Sequence, residues 1–272
     1  MYQITASIVL YKNDPEILKQ SIYSFLNTQL PTKLYLIDNS PTDELKNIVI
    51  DERIEYISNP SNPGFGAAHN IAIKKTLESG TKYHLVLNPD IYFEAGTIEG
   101  IISFMDLNET VGNLMPKVYY PDGSIQYLCK LLPTPFDWIG RRFLPLKKVV
   151  EKRNELFELR FTGYNKTMEV PYLSGCFMFL RLATIKEVGF FDENIFMYGE
   201  ETDLCRRMVS KGYKTVFYPE VSITHLFAKG SHKSFRLTWI GIKSALYYFN
   251  KWGWFFDNER NKINQATLEK LK

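Results

Sequence analysis

Cysteine, long apolar runs and, in the C-terminal part, acidic residues are scarce in this 272-residue sequence. Its three cysteines, Cys129, Cys176 and Cys205, are widely spaced and form no CxxC pair. This spacing argues against a disulfide framework and a cysteine-based zinc site and favours a reducing compartment. No run approaches the roughly 18 apolar residues that span a bilayer, and the N-terminus lacks the pattern of a signal peptide. We therefore expect a cytoplasmic protein without a membrane span.

In the first third of the sequence, short apolar runs alternate with segments in which apolar residues recur at helical spacing. Such alternation with short connections predicts a parallel, doubly wound α/β sheet. The predicted strands cover residues 4–11, 33–37, 54–57 and 83–87, and the predicted helices cover residues 14–27, 43–50 and 65–79. Further along, a helix is predicted over 202–211, followed by strand-like residues 214–218 and 221–224. The net charge of +3 is too small to indicate a nucleic-acid partner, and none is expected.

Polar, turn-forming residues follow each of the four predicted strands. The segments are Tyr11-Lys12-Asn13 where the first strand ends, Asp38-Asn39-Ser40 after the second, Asn59-Pro60-Ser61-Asn62-Pro63-Gly64-Phe65-Gly66 after the third, and Asn88-Pro89-Asp90 after the fourth. Each turn alone is explained by chain reversal, because Asn, Pro and Gly are common in turns. Their coincidence at four carboxyl ends of one sheet favours a nucleotide site.

The residue types at these ends suit a nucleoside diphosphate. Asp38 can accept hydrogen bonds from a base or a ribose. Gly64 and Gly66 let the backbone approach a ligand closely, and they open a helix whose N-terminus favours an anion. Asp90 follows a Pro that ends the strand, so its carboxylate can hold Mg²⁺ or Mn²⁺ against a diphosphate.

An ordered series of motifs extends through most of the chain. It comprises Ile-Val-Leu-Tyr at 8–11, Ile-Asp-Asn-Ser at 37–40, Asn-Pro-Gly-Phe-Gly at 62–66 with Asn70, Leu-Asn-Pro-Asp at 87–90, and the segments 172–178, 188–193 and 196–206. This series resembles family 2 glycosyltransferases of the GT-A fold, and within them the bacterial rhamnosyltransferase-like branch. The resemblance covers residues 3–232, and its ordered motifs are specific together although each is weak alone.

The resemblance implies an α/β fold of the GT-A type, with a Rossmann-like, mainly parallel central sheet flanked by helices. It implies a catalytic domain over 1–232, made of a nucleotide-sugar donor half over 1–92 and an acceptor half over 93–232. An amphipathic helical extension is expected over 233–272.

The resemblance also assigns residues to the donor site. The expected donor-binding residues are Tyr11, Asp38, Asn39, Asn59, Asn62, Gly64, Phe65, Gly66, Asn70 and Asn88. Asp90 and His225 are the expected ligands of Mg²⁺ or Mn²⁺, although a lone His after a strand is more often an ordinary hydrogen-bonded residue. Asn88 stands where the family often has a first carboxylate, so this site carries less negative charge. His69 and His84 are expected to be structural.

Three acids, Glu200, Glu201 and Asp203, begin the predicted helix at 202–211. Acids in a first helical turn complement the helix dipole, and Asp203 can pair with Arg206 or Arg207 on the helix surface. By resemblance, the three acids are the expected catalytic residues, with Glu201 as the base, Glu200 as the second candidate for it and Asp203 as the last acid of the motif. A single base that acts by direct displacement implies inversion at the anomeric carbon.

The C-terminal part is basic and aromatic, since residues 221–256 include no Asp or Glu. Trp239, Ile242, Leu246 and Phe249 recur at helical spacing among Lys229, Lys233, Arg236, Lys243 and Lys251. The segment 136–153 combines Arg141, Arg142, Lys147 and Lys148 with Trp138, Phe143 and Leu144. Packing on the sheet explains part of this pattern, and the acid depletion favours peripheral contact with an anionic membrane.

The function that the resemblance implies is an inverting, metal-dependent transfer of sugar from a dTDP- or UDP-sugar, with dTDP-rhamnose favoured. The expected acceptor is a lipid-linked glycan of bacterial surface-polysaccharide synthesis, at the inner face of the cytoplasmic membrane. The alternatives are a UDP-hexose or N-acetylhexosamine transferase, a nucleotidyltransferase, and a non-catalytic nucleotide-sugar-binding relative. A Rossmann dehydrogenase is disfavoured, because no GxGxxG follows the first strand.

Overall fold

The computed structural model describes residues 2–140, 147–226 and 235–272. The strands are β1 Ile4–Leu10, β2 Thr32–Asp38, β3 Ile54–Ser58, β4 Tyr83–Leu87, β5 Ile91–Tyr92, β6 Val111–Tyr119, β7 Cys129–Lys130, β8 Met168–Glu169, β9 Tyr172–Leu173, β10 Phe177–Arg181 and β11 Lys214–His225. The α-helices are α1 Pro15–Leu26, α2 Phe65–Glu78, α3 Thr97–Leu107, α4 Lys147–Phe157, α5 Leu182–Val188, α6 Glu200–Ser210, α7 Phe235–Trp252 and α8 Asn258–Leu271. A π-helical turn covers Phe136–Gly140 and a 3₁₀ turn covers Arg160–Thr162.

Nine strands of the described residues form one sheet, in the order β3-β2-β1-β4-β10-β6-β11-β5, with β8 paired to β11. The first four are parallel, and their register aligns Leu10 with Asp38 and Asp38 with Ser58. Their carboxyl ends therefore meet at one edge, as predicted. Strands β1 and β4 are almost wholly buried and apolar, as expected for strands covered on both faces.

The second half of the sheet is mixed. Strand β10 lies between β4 and β6 and runs antiparallel to both. Strand β11 runs parallel to β6 and antiparallel to β5 and β8. The predicted α/β class with a helix-flanked central sheet is confirmed, and the predicted donor and acceptor halves share this one sheet. The antiparallel placement of β10 brings the residues just before it beside the end of β4.

Local sequence signals explain where the helices of the first half begin. The Asp14 side chain accepts hydrogen bonds from the backbone N–H groups of Glu16 and Ile17, and Pro15 occupies the first turn of α1. The predicted helix over 43–50 is wrong. That segment forms turns closed by bonds from Lys46 to Asp43 and from Ile48 to Leu45, and Ile50 is exposed. So short a segment gains too little packing to support a helix.

The C-terminal helices pack back onto the body of the protein. The Arg206 guanidinium is buried, forms an ion pair with Asp257 at 2.7 Å and lies 4.2 Å from the ring centroid of Trp252. The Asn264 amide exchanges two hydrogen bonds with the backbone of Leu132. No helix in the described part of the chain combines the length and the hydropathy that a bilayer span needs.

Candidate functional site

A network of polar side chains occupies the shared edge of β1, β2 and β3. The Asp38 carboxylate accepts hydrogen bonds from the Ser40 backbone N–H and the Tyr56 hydroxyl, both at 2.8 Å. The Asn39 amide donates to Asn62 and accepts from Asn59. These four predicted donor-site residues are therefore brought together. Tyr11 is half exposed above the same edge, where its ring is accessible to a ligand.

The loop that opens α2 is fastened to the segment preceding the acids. The Phe65 N–H donates to the Phe196 carbonyl at 2.8 Å. Gly64 has a φ of +112°, and a Cβ there would lie 2.9 Å from Phe196 Cα. Gly66 is buried against the Phe191 side chain. The absence of a side chain at Gly64 and Gly66 thus allows this loop to pack closely against the residues that precede Glu200.

Asn70 is a fully buried link within the protein. Its amide donates to the Phe191 carbonyl and to Glu193, and its oxygen accepts from the Phe191 N–H. All of these partners belong to the segment that precedes the acidic motif. Asn70 therefore fixes α2 against that segment, and any effect it has on a donor is exerted through this connection.

Asp90 and His225 meet at the end of β4 and β11, although they are distant in sequence. The His225 Nε2 lies 3.3 Å from the Asp90 carboxylate, and the Leu226 N–H donates to the Asp90 carbonyl. On the other side of the imidazole, Nδ1 lies 3.0 Å from the Gln126 amide oxygen. Burial lowers the pKa of His225, but its interactions with Cys176 and Asp90 outweigh burial and raise that pKa to about 10.

The geometry of this pair suits a divalent cation. Two ligand atoms bound at right angles to one Mg²⁺ at about 2.1 Å are about 3.0 Å apart, close to the observed separation. With Nδ1–H donated to the Gln126 oxygen, which is a common outer-shell arrangement, Nε2 is the nitrogen that a metal would bind, and the metal would displace its proton. Within the described residues, no group of three or more His, Cys, Asp or Glu side chains forms a complete protein cage. A cation here would thus take its other ligands from water and from the diphosphate of a donor.

Residues Gly175 and Cys176 connect this corner to the acids. The Asn88 N–H donates to the Cys176 carbonyl at 2.9 Å, because Phe177 of β10 pairs with Leu87 of β4. A Cβ on Gly175 would lie 3.3 Å from the Cβ of Glu201. The structure therefore places Asn88 and Glu201 on opposite sides of a two-residue bridge.

The adjacent acids Glu200 and Glu201 have different environments. Glu201 is half-buried, and its two oxygens accept hydrogen bonds from the Tyr172 hydroxyl at 3.1 Å and the Gly199 N–H at 3.0 Å. Glu200 is 4% exposed, and its Oε2 has no hydrogen-bond partner. Burial, and then the charge of Glu201, raise the pKa of Glu200 well above its usual range. A carboxyl that retains its proton is a poor base, so the geometry favours Glu201 for proton abstraction.

Asp203 is fully buried and engaged in structural contacts. Its carboxylate pairs with Arg207 and Lys251 and accepts a hydrogen bond from the Trp252 indole, each at 2.8 Å. Two of these partners belong to α7. Asp203 thus connects the acidic helix α6 to the C-terminal helix α7.

Sequence reasoning missed Gln126, Tyr172 and Tyr56 as functional residues. Each of them contacts a predicted site residue. Gln126 contacts His225, Tyr172 contacts Glu201, and Tyr56 contacts Asp38. Only Tyr172 lies within a recognised motif, so only it had a detectable signal. Several residues noted in the sequence lie outside the described residues, namely Arg141, Arg142, Phe143, Leu144, Lys229 and Lys233.

Comparisons with known proteins identify similar chains and a similar fold. The chain is 25% identical over 232 residues to the N-acetylglucosaminyl-diphospho-decaprenol L-rhamnosyltransferase of Mycobacterium tuberculosis, which covers 80% of this chain and 74% of that relative. It is 26% identical to the rhamnosyltransferase WbbL of Escherichia coli over 75% of both chains. Among solved structures, GalNAc-T7 with UDP, GalNAc and Mn²⁺ superimposes with a TM-score of 0.63 at 16% identity over 83% of this chain. This chain spans 43% of that protein, so the likeness supports the fold alone.

Family models identify the chain directly. The model described as Glycosyl transferase family 2 matches residues 7–189, about two thirds of the sequence, and that of Glycosyl transferase family group 2 matches residues 150–256. The expected resemblance, including its rhamnosyltransferase-like branch, is thereby confirmed. The chain belongs to glycosyltransferase family 2.

Proposed function

We propose that this glycosyltransferase moves a sugar from a nucleoside diphosphate, dTDP-rhamnose in the favoured case, to a lipid-linked glycan acceptor of bacterial surface-polysaccharide synthesis. The observation that carries the proposal is the pairing of Asp90 with His225, joined through Gly175 and Cys176 to the hydrogen-bonded carboxylate of Glu201. The rhamnosyltransferase relatives support the donor and the acceptor class. A UDP-hexose or UDP-N-acetylhexosamine donor is the second candidate.

The proposed reaction is a single displacement. Glu201 takes the proton of the acceptor hydroxyl at a carboxylate oxygen, while Tyr172 and the Gly199 N–H hold that carboxylate in place. The acceptor oxygen bonds to the anomeric carbon as the bond from that carbon to the diphosphate oxygen breaks, so the configuration inverts. Asp90 and His225 would hold Mg²⁺ or Mn²⁺, which supplies neutralisation of the leaving diphosphate's charge.

A nucleotide-sugar panel tests the donor site. Thermal shifts are measured with dTDP-, UDP- and GDP-sugars, each with and without Mn²⁺. We expect a dTDP- or UDP-sugar to stabilise the protein more strongly with Mn²⁺, and Asp90→Asn to remove the metal-dependent part of the shift. A chain that no nucleotide sugar stabilises would contradict the proposed donor site. A metal-dependent shift that survives in Asp90→Asn would contradict the role of Asp90.

We also propose that the protein binds the cytoplasmic membrane face through α7. Phe235, Trp239 and Leu246 lie on one face of this helix and are 89%, 52% and 40% exposed. Phe249, grouped with them in the sequence, is instead buried beside Trp138. Arg236 and Lys243 flank the exposed face, which suits anionic lipid headgroups.

Vesicle flotation tests this contact. The protein should float with phosphatidylglycerol-containing vesicles at low salt and less at high salt, because surface charge attraction is screened. Trp239→Ser should reduce flotation, whereas Tyr23→Ser removes an equally exposed aromatic from α1 and should not. Recovery of the unaltered protein in the soluble fraction at low salt would refute the proposed contact.

A further inference from the structure

A cavity of about 270 Å³ lies beside Glu201, between the body of the protein and α7. Glu201 and Tyr172 line its inner part. Trp138 of the π-helical turn lines one side, and Thr238, Gly241 and Ile242 of α7 line another. The volume is near the lower end of the range for small-ligand pockets, about 300–1,000 Å³.

The cavity borders Glu201 but is lined by other residues than those predicted to bind the donor. Within the described chain, its lining includes none of the residues expected to contact the nucleotide, and neither Asp90 nor His225. A base that borders a partly open cavity can take a proton from a group bound in that cavity. The cavity is therefore in the position where an acceptor hydroxyl is needed.

One wall of the cavity is a fixed aromatic surface. Trp138 packs so closely on Gly199 that a Cβ there would lie 2.6 Å from the indole Cη2. The indole is also held from behind by Tyr248 and Phe249, with ring centroids 5.1 and 5.7 Å away. A rigid aromatic wall with a few convergent polar groups is typical of a site for a small polar ring.

The cavity wall and the exposed face of α7 meet at Ile242. Ile242 lines the cavity, and it is three residues after Trp239 and four before Leu246, so the three share one helix face. Trp239 and Leu246 are exposed. A ligand that occupied both regions would thus be polar at the end near Glu201 and apolar along α7.

We propose that this cavity binds the terminal sugar ring of a prenyl-diphosphate-linked acceptor, with the prenyl chain lying along the exposed face of α7. The inference rests on the proposed function and goes further, since it assigns the acceptor to a defined site. It also gives the C-terminal helix two roles, as a wall of the acceptor site and as the surface from which a lipid-linked substrate enters.

Filling the cavity tests the proposal. Gly241→Leu and, as a second variant, Thr238→Phe place bulk in the cavity, and Gly241→Ala adds one methyl group, whose carbon would lie 3.7 Å from the Tyr198 ring. Ala266→Leu adds similar bulk to an exposed position of α8 and serves as the control. Acceptor probes are farnesyl-diphosphate-linked N-acetylglucosamine, N-acetylgalactosamine, glucose and galactose. The readouts are KM for each probe, slow hydrolysis of the donor, and the donor-induced thermal shift.

We expect the KM for the acceptor to rise at least about tenfold in the two large variants and less in Gly241→Ala, because small misfits in a pocket change discrimination about 10–200-fold. The donor-induced shift should stay as in the unaltered protein and in Ala266→Leu, because the residues expected to bind the nucleotide do not line the cavity. An unchanged acceptor KM in both large variants overturns the inference and leaves the proposed function intact. Unaltered protein that hydrolyses the donor but neither binds nor glycosylates any probe also overturns it. Absence of donor binding and hydrolysis would instead contradict the proposed function.

Discussion

At the scale of single residues, the neighbouring glutamates Glu200 and Glu201 differ in burial and in hydrogen bonding. Glu200 is buried, with a pKa raised above its usual range, while Glu201 borders a cavity and is oriented by Tyr172 and Gly199. Titratable pairs whose surroundings differ in this way often divide acid and base roles. The same residue type is therefore proposed as the base at position 201 and is buried with a raised pKa at position 200.

Substitution of each acid by its amide separates these roles. Glu201→Gln should lower kcat about 10²–10⁴-fold, the usual contribution of a general base, and leave the donor-induced thermal shift intact. Glu200→Gln replaces an uncharged carboxyl by an uncharged amide and should cost much less. The measurement is the initial rate of transfer together with donor binding for both variants. Equal losses in the two variants would contradict the assignment of the base to Glu201.

Residue types in local motifs were predictable, whereas their partners were not. Asp90 and Glu201 lie in short patterns that a sequence displays directly. Gln126 contacts His225 across 99 residues and Tyr172 contacts Glu201 across 29, separations at which no local pattern reports a contact. Asp203 shared the acidic motif with Glu201, and only the fold reveals that its carboxylate is engaged by Arg207, Lys251 and Trp252.

At the scale of elements, a strand or helix was predictable where its own residues define it, and unpredictable where contacts with the rest of the fold decide it. Strand β4 was predicted with its observed ends, because its run of apolar residues is bounded by Pro89. The segment 43–50 had helical spacing, but it packs Leu45 into the core through turns and leaves Ile50 exposed. The antiparallel direction of β10 was not predictable. The apolar pattern of a short strand is compatible with parallel and with antiparallel pairing, and tertiary contacts decide between them.

The start of α2 depends on a backbone conformation that only glycine adopts easily. Gly64→Ala should destabilise the protein by about 3 kcal/mol or more, since a Cβ adds strain at φ +112° and also meets the Phe196 backbone. Gly80→Ala is the matched control, because Gly80 also has a positive φ but nothing within 4 Å of its would-be Cβ, so about 1 kcal/mol is expected. Urea unfolding of both variants gives the difference. Equal destabilisation would show that the contact with Phe196 contributes nothing.

At the scale of the whole molecule, a buried polar cluster lies between the central sheet and α2. His84 bonds to Thr5 at 2.6 Å and to Ser7 at 2.8 Å, and Ser7 bonds to His69 at 2.7 Å. Both imidazoles are fully buried, as expected for structural residues. Burial lowers the pKa of His84 to about 3, and burial followed by the proximity of His84 lowers the pKa of His69 well below its usual range.

This cluster makes the free energy of unfolding depend on pH. Above about pH 6.5 both imidazoles are neutral in the folded and unfolded chains, so the stability is fully present. As the pH falls toward 3, the unfolded chain binds protons that folded His84 cannot, and stability is lost by up to about 1.4 kcal/mol per pH unit for each such group. His225, whose pKa is raised to about 10, acts in the opposite direction, because the folded chain binds its proton more tightly.

The contribution of His84 is isolated by comparison with His84→Gln, whose amide can still bond to Thr5 or Ser7 but does not titrate. Between pH 7.0 and 5.5 the unaltered protein should lose about 1.2 kcal/mol more stability than the variant, measured by urea unfolding in the presence of a chelator. The variant is expected to be less stable at pH 7, so the difference in slope, and not the absolute value, carries the test. Parallel pH profiles would mean that His84 can be protonated in the folded state, and hence that the sheet interior opens to water on the timescale of the experiment.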